Sequence, residues 1–428
     1  MRLHVQKNIN NNTHIMKILI SSPSLEPKVS GVSLRYKNLL KGLAKIHDVY
    51  VVGYDTDFHK YLPKNIKGYY YFSNLSIPTY DSQKIFNIFL TYPYIIYIYY
   101  ILTSLKIDIV HIVGPDTNFI PWVEVTNILK IHLVYAHHTD IVSYLDTRPL
   151  LNNVLVKNII ISSEKYIMNN SSVTWLMSDF FLDRLENKHG YFKNKKPNIK
   201  ILDPGIDTTI FKPTYIPEYI DLWIPNTTRL LIISRISSEK YIEFVIDTVK
   251  NISSASLLII GAGPDEDIIK DLSNKIDNVN FIGYIPHEKL APYYSMADFF
   301  IQPSNNETLG FTILESLACG TPVINCKDCS SFIINGYNGF TYPFGNKKEL
   351  TLLIDSLKNH KRFQYKENSI QSIKKYKWEN VILMIDNTYK ELIKTDKKRK
   401  VTLFMLLYIF IIIYYICNKK KYYNLLYI

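Results

Sequence analysis

Cysteine is scarce in this sequence, and its scarcity excludes a fold stabilised by a disulfide framework. The chain has 428 residues but only four cysteines, all in its last third: Cys319, Cys326, Cys329 and Cys417. So few cysteines predict no disulfide framework, and they fit a reducing compartment. Cys326 and Cys329 have the spacing of a metal-binding pair, but no second pair and no nearby histidine pair completes four ligands. We therefore predict no zinc site.

The N-terminus lacks the apolar stretch of a secretory signal peptide. Residues 1–15 are polar, so we predict a polar N-terminal extension and no signal peptide there. Disorder is excluded for the chain as a whole, because 47% of its residues are hydrophobic. The length is sufficient for two domains, each with a substantial core.

Positive charge is in excess, with a formal net charge of +12, but it is unevenly placed. Eight lysines and arginines and a single acid lie between residues 394 and 421, so most of the excess belongs to the C-terminal tail. Charge concentrated in a tail does not predict a nucleic-acid partner.

An uncharged run at residues 401–417 interrupts that basic tail. As a helix it would be about 25 Å long, at the short end of what spans a bilayer core. Lysines flank the run and tyrosines lie within it, as at a membrane interface. We expect a single-pass transmembrane anchor at 401–417, a short tail at 418–428, and preceding domains that face the cytosol. A buried core helix is the alternative.

A second apolar stretch lies at residues 85–105. Pro93 and the polar and tyrosine positions of this stretch argue against a lipid-spanning helix. We predict a core or surface helix, with a membrane-dipping face as the alternative.

Short apolar runs alternate with helix-length segments along the chain, which predicts parallel α/β sheets. The first series of predicted strands lies at residues 16–22, 49–54, 107–114, 131–138 and 171–178. The second series lies at residues 229–235, 256–263, 279–284, 298–304 and 321–326. A proline-rich segment places the boundary near residues 210–226. We predict two doubly wound, Rossmann-like domains, at 16–212 and 213–395, which face each other across a cleft at the carboxyl ends of their strands.

Two glutamates eight positions apart, Glu307 and Glu315, flank a predicted helix N-terminus at Gly310, Phe311 and Thr312. Free backbone N–H groups at such a terminus favour phosphate. Carboxylates on either side could bind the hydroxyl groups that flank a phosphate in a sugar nucleotide. The alternative is that both acids are ordinary solvated side chains, since two acids at a fixed spacing are common.

The surrounding residues favour the first interpretation. The segment NNETLGFTILESLACGTPVI, residues 305–324, resembles the two-glutamate region of glycosyltransferase family 4, which comprises retaining enzymes with the two-domain GT-B fold. Together with SGVSLRYKNLLKGL, IDIVHIVGPD, AHHTDIVSYL and SSEKYIEFVI, it is most similar to the sulfoquinovosyl-diacylglycerol synthase branch. The resemblance covers roughly residues 16–395.

The resemblance implies roles for further residues in the second domain. Arg235 and Lys240 match the two cations that stabilise the leaving diphosphate, in which Arg suits bidentate contact and Lys a point charge. Gly261 and Gly263 match a turn near the nucleotide base, although a plain tight turn is the alternative. Ser234 and Tyr241 depart from the usual glycines of the family, which could narrow the donor site.

In the first domain, the resemblance implies that His138 lies beside the donor sugar and that the backbone of Gly31 approaches the donor phosphates. A structural histidine and an ordinary turn are the alternatives. Residues 203–207 match an architectural element. Residues 327–331 depart from the family pattern at the place where the family makes sugar contacts.

The resemblance implies a hexosyltransferase that uses a nucleoside diphosphate sugar as donor substrate and a lipid such as diacylglycerol as acceptor, and that requires no cofactor or metal. Asp55-Thr56-Asp57 has the Asp-x-Asp pattern of a different glycosyltransferase fold, and we interpret it as coincidence. Alternatives are a catalytic subunit similar to phosphatidylinositol N-acetylglucosaminyltransferase, a mannosyltransferase of the same family, or an inactive membrane-tethered scaffold that binds sugar nucleotides.

Overall fold

The computed structural model describes residues 15–27, 30–72, 75–76, 84–85, 91–114, 119–146, 153–192, 197–304, 310–327, 332–358 and 362–397. Its strands are β1 Lys17–Ser21, β2 Asp48–Gly53, β3 Gly68–Tyr71, β4 Leu75–Ser76, β5 Lys84–Ile85, β6 Ile109–Gly114, β7 His132–His137, β8 Val173–Leu176, β9 Ile199–Ile201, β10 Thr228–Ile233, β11 Ala255–Ile260, β12 Val279–Phe281, β13 Phe299–Gln302, β14 Val323–Cys326 and β15 Gly339–Tyr342.

The helices alternate with these strands. They are α1 Gly31–Leu43, α2 Thr91–Leu105, α3 Phe119–Leu129, α4 Ile141–Asp146, α5 Val154–Asn170, α6 Asp179–Asp183, α7 Ile242–Val249, α8 Glu266–Ser273, α9 Ala291–Met296, α10 Phe311–Ala318, α11 Lys347–Ser356, α12 Lys366–Ser372 and α13 Trp378–Ile393. Three shorter helical turns also carry residues of the candidate site. They are a π-helical turn at Arg184–Lys188 and 3-10 turns at Ser238–Lys240 and His287–Lys289.

The described residues pack as two compact units. One unit comprises the described residues within 15–136, 166–174 and 385–397, and the other comprises those within 137–165 and 175–384. The domain boundaries expected from the sequence, 16–212 and 213–395, stay predictions.

The first sheet has the strand order β3-β2-β1-β6-β7-β8-β9. Strand β1 pairs in parallel with β2 on one side and with β6 on the other, so the order reverses direction at β1. Strands β6 and β7 are buried along their whole length, as expected for parallel strands covered on both faces.

The C-terminal part of α13 belongs to the first unit and is fastened there by buried polar contacts. Tyr389 Oη lies 2.7 Å from His111 Nδ1, and Tyr36 Oη lies 2.9 Å from His111 Nε2. Burial, together with the charge of Arg35, lowers the pKa of His111 to about 3, so its ring is neutral and bonds one tyrosine as donor and the other as acceptor.

The second sheet has the order β12-β11-β10-β13-β14-β15, and every neighbouring pair is parallel. Alternate residues of β10 enter two hydrophobic cores, Leu231 and Ile233 on one face and Leu230 and Ile232 on the other. From β10 the chain continues outward through β11 to β12, whereas β13 lies on the other side of β10. The carboxyl ends of β10 and β13 therefore form a topological switch point, where ligands bind in sheets of this kind.

No helix among the described residues is both long and apolar enough to cross a bilayer. The apolar helix α2 has 15 residues, which as a helix reach about 22 Å, short of a hydrocarbon core of about 30 Å. The described residues therefore give no support to the predictions of a C-terminal transmembrane helix and of a single-pass, tail-anchored protein, and neither prediction is retained. Residues 401–417 themselves lie outside the described residues.

Candidate functional site

The predicted helix N-terminus is present at the switch point. Gly310 precedes α10 in the left-handed conformation, with φ of 69° and ψ of 53°. A Cβ at Gly310 would lie 3.0 Å from Ile313 Cδ1, so glycine suits this position in both conformation and space. The N–H groups of the first turn, including those of Phe311 and Thr312, face outward from the start of α10. Glu307 lies outside the described residues, so its predicted role is untested.

Glu315 lies one turn inside α10 and is only 3% exposed. His287 Nε2 is 2.7 Å from Glu315 Oε1, and the Tyr294 hydroxyl donates to Glu315 Oε2 at 2.9 Å. Burial and the negative charge of Glu315 hold the pKa of Tyr294 well above its usual value, so Tyr294 remains a hydrogen-bond donor. The predicted acid is therefore a buried carboxylate whose two oxygens are both held in place.

Arg235 and Lys240 lie in the loop that follows β10. Strand β10 ends at Ile233, Arg235 is exposed, and Lys240 ends the 3-10 turn Ser238–Lys240. Tyr241 then adopts a left-handed φ of 53° before α7 begins. We call residues 234–241 the cation loop. Because β10 and β13 pair directly, the cation loop and the start of α10 follow neighbouring strands.

Gly261 and Gly263 follow β11, the other neighbour of β10, and lie against the cation loop. A Cβ at Gly261 would be 1.9 Å from the Ser234 carbonyl oxygen, and one at Gly263 would be 2.1 Å from the Ile236 carbonyl oxygen. The backbone of Ile236 donates to Ala262 O at 3.0 Å. The two glycines therefore permit backbone contact that holds the cation loop beside this turn.

Gly31 lies in the first unit, as the first residue of α1. Ser30 caps α1 with its side chain, accepting from Ser33 N at 3.1 Å, and Ser33 Oγ accepts from Ser30 N at 2.9 Å. This reciprocal capping box fixes the entry into α1, and Gly31 is exposed at that entry.

His138 directly follows β7 and is 4% exposed. Its neighbour His137 stacks on Phe181, with ring centroids 5.1 Å apart, and its Nε2 is 3.8 Å from Glu164 Oε2. Burial lowers the pKa of His137 to about 4 and raises that of Glu164 to about 8, while Tyr191 donates to Glu164. At neutral pH both partners are therefore uncharged, and their proximity is not an ion pair.

Asp140, two residues beyond His138, carries the charge of this region. It accepts from Ser143 N at 2.9 Å and lies 3.2 Å from His189 Nε2 and 3.4 Å from Arg184 Nη1. Burial opposes ionisation, but hydrogen bonds from His189 and Ser143 hold the pKa of Asp140 well below its usual range. The π-helical turn that contains Arg184 thus supports the loop that carries His138.

Comparison with known proteins places these elements in one family. Residues 29–210 match the model described as Glycosyltransferase Family 4, and residues 222–384 match the model described as Glycosyl transferases group 1. The chain belongs to glycosyltransferase family 4. It is therefore a glycosyltransferase of the hexosyltransferase class, as the sequence predicts.

The curated relatives of this family 4 chain include lipid glycosyltransferases. The alpha-monoglucosyldiacylglycerol synthase of Streptococcus pneumoniae is 28% identical over 330 residues, which cover 72% of this chain and 70% of that one. The sulfoquinovosyl transferase SQD2 of Arabidopsis thaliana is 22% identical over 395 residues, which cover 90% of this chain and 75% of that one.

Solved structures share its fold. Sucrose-phosphate synthase from Thermosynechococcus elongatus matches with a TM-score of 0.68 at 18% identity, over 89% of this chain and 99% of that one. Anabaena HepE, solved with UDP, matches with a TM-score of 0.67 at 18% identity, over 88% of this chain and 100% of that one. The GT-B fold with parallel sheets is thereby confirmed.

The Asp-x-Asp pattern has local structural roles in this family 4 protein. Asp55 Oδ1 accepts from Asp57 N at 3.2 Å, and Asp57 pairs with Lys60 at 2.7 Å. No group of three or more metal-ligating side chains occurs among the described residues.

Cys319 is a buried free cysteine, whereas Cys326 is disulfide-bonded, which the sequence does not predict.

Sequence reasoning missed the partners of the predicted site residues. His287 and Tyr294 come from segments 28 and 21 positions before Glu315, and neither belongs to a recognised motif. Glu164 and Asp140 were missed as well, although Asp140 stands two positions after His138. No periodicity or spacing marks such contacts, because each joins separate elements.

Proposed function

We propose that this chain is a retaining hexosyltransferase that moves a hexose from a nucleoside diphosphate sugar to a lipid acceptor such as diacylglycerol. The names of the pneumococcal and Arabidopsis relatives, a glucosyldiacylglycerol synthase and a sulfoquinovosyl transferase, support a glycolipid product. A second alpha-monoglucosyldiacylglycerol synthase, from Acholeplasma laidlawii, is 28% identical over 359 residues and supports the same acceptor class.

One arrangement carries this proposal. The neighbouring strands β11, β10 and β13 deliver, at their carboxyl ends, the glycine turn at residues 261–263, the cation loop and the N-terminus of α10. A helix N-terminus, two basic side chains and a close backbone turn together favour a diphosphate. The buried carboxylate of Glu315 lies one turn further on and accepts hydrogen bonds from hydroxyl groups.

In the proposed reaction, the bond between C1 of the sugar and the diphosphate oxygen breaks, and the acceptor hydroxyl oxygen bonds to C1 on the same face. The acceptor proton passes to the departing phosphate oxygen, so charge and atoms balance. Arg235, Lys240 and the first N–H groups of α10 stabilise the negative charge that develops on the diphosphate. Because these groups supply the positive charge, the proposed mechanism requires no metal ion.

The remaining roles rest on the resemblance to family 4. Glu315 binds the ribose of the donor, Glu307 orients the sugar, and His138 contacts the sugar. The backbone of Gly31 approaches the donor phosphates.

A donor and acceptor panel tests the proposal. Purified protein is incubated with UDP-, GDP- and ADP-hexoses and with diacylglycerol, phosphatidylinositol or dolichyl phosphate, and glycolipid formation is measured. We expect transfer to diacylglycerol with retention at C1, assigned by NMR of the product. Transfer only to phosphatidylinositol or dolichyl phosphate would exclude diacylglycerol as the acceptor. Donor binding without any turnover would favour a scaffold.

Arg235→Ala tests the site assignment. Loss of a charge-stabilising group lowers kcat by about 100- to 1,000-fold, whereas Lys270→Ala, on the exposed side of α8, leaves kcat near the wild-type value. Glu307→Ala should abolish transfer in a folded protein. Near-normal turnover by either site variant would contradict the assignment.

A further inference from the structure

His287 contacts the predicted ribose-binding acid but belongs to none of the recognised motifs. It begins the 3-10 turn His287–Lys289, after β12, and places Nε2 2.7 Å from Glu315 Oε1. The Phe211 ring packs edge-on against the imidazole, with centroids 4.9 Å apart and an interplanar angle of 62°. The imidazole is therefore held both by an aromatic neighbour and by the carboxylate.

The carboxylate of Glu315 has acceptor capacity left after these contacts. Each oxygen of an ionised carboxylate offers about two lone-pair sites. His287 uses one site on Oε1, and Tyr294 uses one site on Oε2 at 2.9 Å. Each oxygen therefore keeps about one unused lone-pair site, and the two oxygens lie side by side. Two hydroxyl groups on adjacent carbons present two donors in a matching arrangement.

The two partners of Glu315 differ in exposure. Tyr294 is fully buried, whereas the side chain of His287 is 35% exposed. Of the two partners of Glu315, only His287 therefore lies at the surface. His287 borders the part of the carboxylate that a ligand would meet.

We propose that His287 is a positioning residue for the donor, because its hydrogen bond orients the Glu315 carboxylate toward the adjacent hydroxyl groups of the nucleotide ribose. This inference rests on the proposed function. Without the imidazole, the Glu315 side chain loses its contact on Oε1 and can rotate away from the ribose. The loss falls on ribose recognition and leaves the cation loop unchanged, so donor binding weakens while the chemical step is preserved.

Nucleotide binding by the full chain tests this role. The probes are UDP, GDP and ADP, each compared with its 2′,3′-dideoxy analogue by isothermal titration calorimetry. We expect the wild type to prefer the ribonucleotide. His287→Ala should weaken binding of the ribonucleotide by about tenfold, the size of one hydrogen bond to a charged group, and should barely affect the dideoxy analogue. His287→Gln retains an N–H donor and should recover part of the loss.

Steady-state kinetics give a second measure. His287→Ala should raise the KM for the donor sugar nucleotide with kcat nearly unchanged, because the lost interaction contributes equally to ground-state and transition-state binding. Glu288→Ala, on an exposed side chain of the same turn, is the matched control and should leave both constants unchanged.

The outcomes separate the inference from the proposed function. If His287→Ala weakens binding of the ribonucleotide and of the dideoxy analogue equally, His287 is only structural and the inference is overturned. The same holds if His287→Gln binds the ribonucleotide as weakly as the alanine variant does. A wild type that binds diphosphates without preferring the ribose hydroxyls also overturns it, while the proposed function stands. If the wild type binds none of the three diphosphates, the proposed function itself fails.

Discussion

Replacing Gly263 with alanine tests whether the glycine turn holds the cation loop in place. The new Cβ would lie 2.1 Å from the carbonyl oxygen of Ile236 and 2.8 Å from its nitrogen, and real Cβ contacts essentially never fall below 3.0 Å. Ile236 O accepts from Asp265 N at 3.2 Å, and Ile236 N donates to Ala262 O at 3.0 Å, so neither atom can swing aside as a side chain does. The backbone next to Arg235 has to move by roughly 1 Å.

Two effects of Gly263→Ala follow from that displacement. Overpacking of this kind lowers the free energy of unfolding by about 1–3 kcal/mol. A misplacement of about 1 Å in a group that stabilises the transition state lowers turnover by roughly 100-fold. Urea denaturation measures the first effect, and sugar transfer at saturating donor measures the second.

Gly345→Ala is the matched control. Gly345 has a φ of +70°, and a Cβ there would have no heavy atom within 4 Å. Alanine at this position costs about 1–2 kcal/mol for the left-handed conformation, but it leaves the cation loop untouched. The two variants should thus lose comparable stability and differ sharply in turnover. Equal turnover in the two folded variants would refute the argument that Gly263 positions Arg235.

Two further predictions concern stability. Burial raises the folded-state pKa of Glu164 to about 8, from about 4.5 in the unfolded chain. The protonated side chain therefore contributes to stability fully below pH 4.5, and this contribution is lost as the pH rises through 8. The free energy of unfolding falls by at most about 1.4 kcal/mol per pH unit in this window. Glu164→Gln keeps an acceptor for Tyr191 and should flatten that pH dependence in urea denaturation between about pH 6 and 8; an unchanged slope would contradict the effect of burial. The buried Asp298 carboxylate accepts from Arg229 Nη2 at 2.8 Å and from Arg229 Nε at 3.1 Å. Asp298→Ala leaves Arg229 without this partner and should lower the free energy of unfolding by about 3 kcal/mol. Because Arg229 and Asp298 lie at the amino ends of β10 and β13, away from the switch point, turnover per folded molecule should stay the same, and a large fall in turnover would contradict that placement.

The strands predicted from apolar runs are confirmed, and three of the strands that were missed share a physical cause. β3, β9 and β15 all lie at the edges of their sheets. Their side chains are mostly half-buried, so no continuous apolar run marks them. Interior strands are covered on both faces and leave a continuous apolar run, whereas an edge strand need not leave one. The edge strand β12 does leave one, at residues 279–284, and was predicted from it.

Predicted strand ends extend too far for a related reason. The run at residues 256–263 is apolar or small throughout, yet β11 ends at Ile260, because Gly261 turns the chain with a φ of +150°. The run at 229–235 likewise passes the end of β10 at Ile233. In both places the residues beyond the strand end are those that contact each other in the candidate site. Burial continues past the hydrogen-bonded strand, so an apolar pattern cannot locate its end.

Tyr241 shows what a motif can and cannot predict about this site. The position frequently holds glycine in family 4, and a tyrosine there suggests at first a different backbone. The chain nevertheless keeps the left-handed φ of 53°, at a cost of about 1–2 kcal/mol for a residue with a Cβ. Its ring packs edge-on against Phe344, with centroids 4.9 Å apart, and this contact offsets part of that cost. The left-handed turn that ends the cation loop is thus formed here without a glycine, although glycine is the residue that adopts it with the least strain.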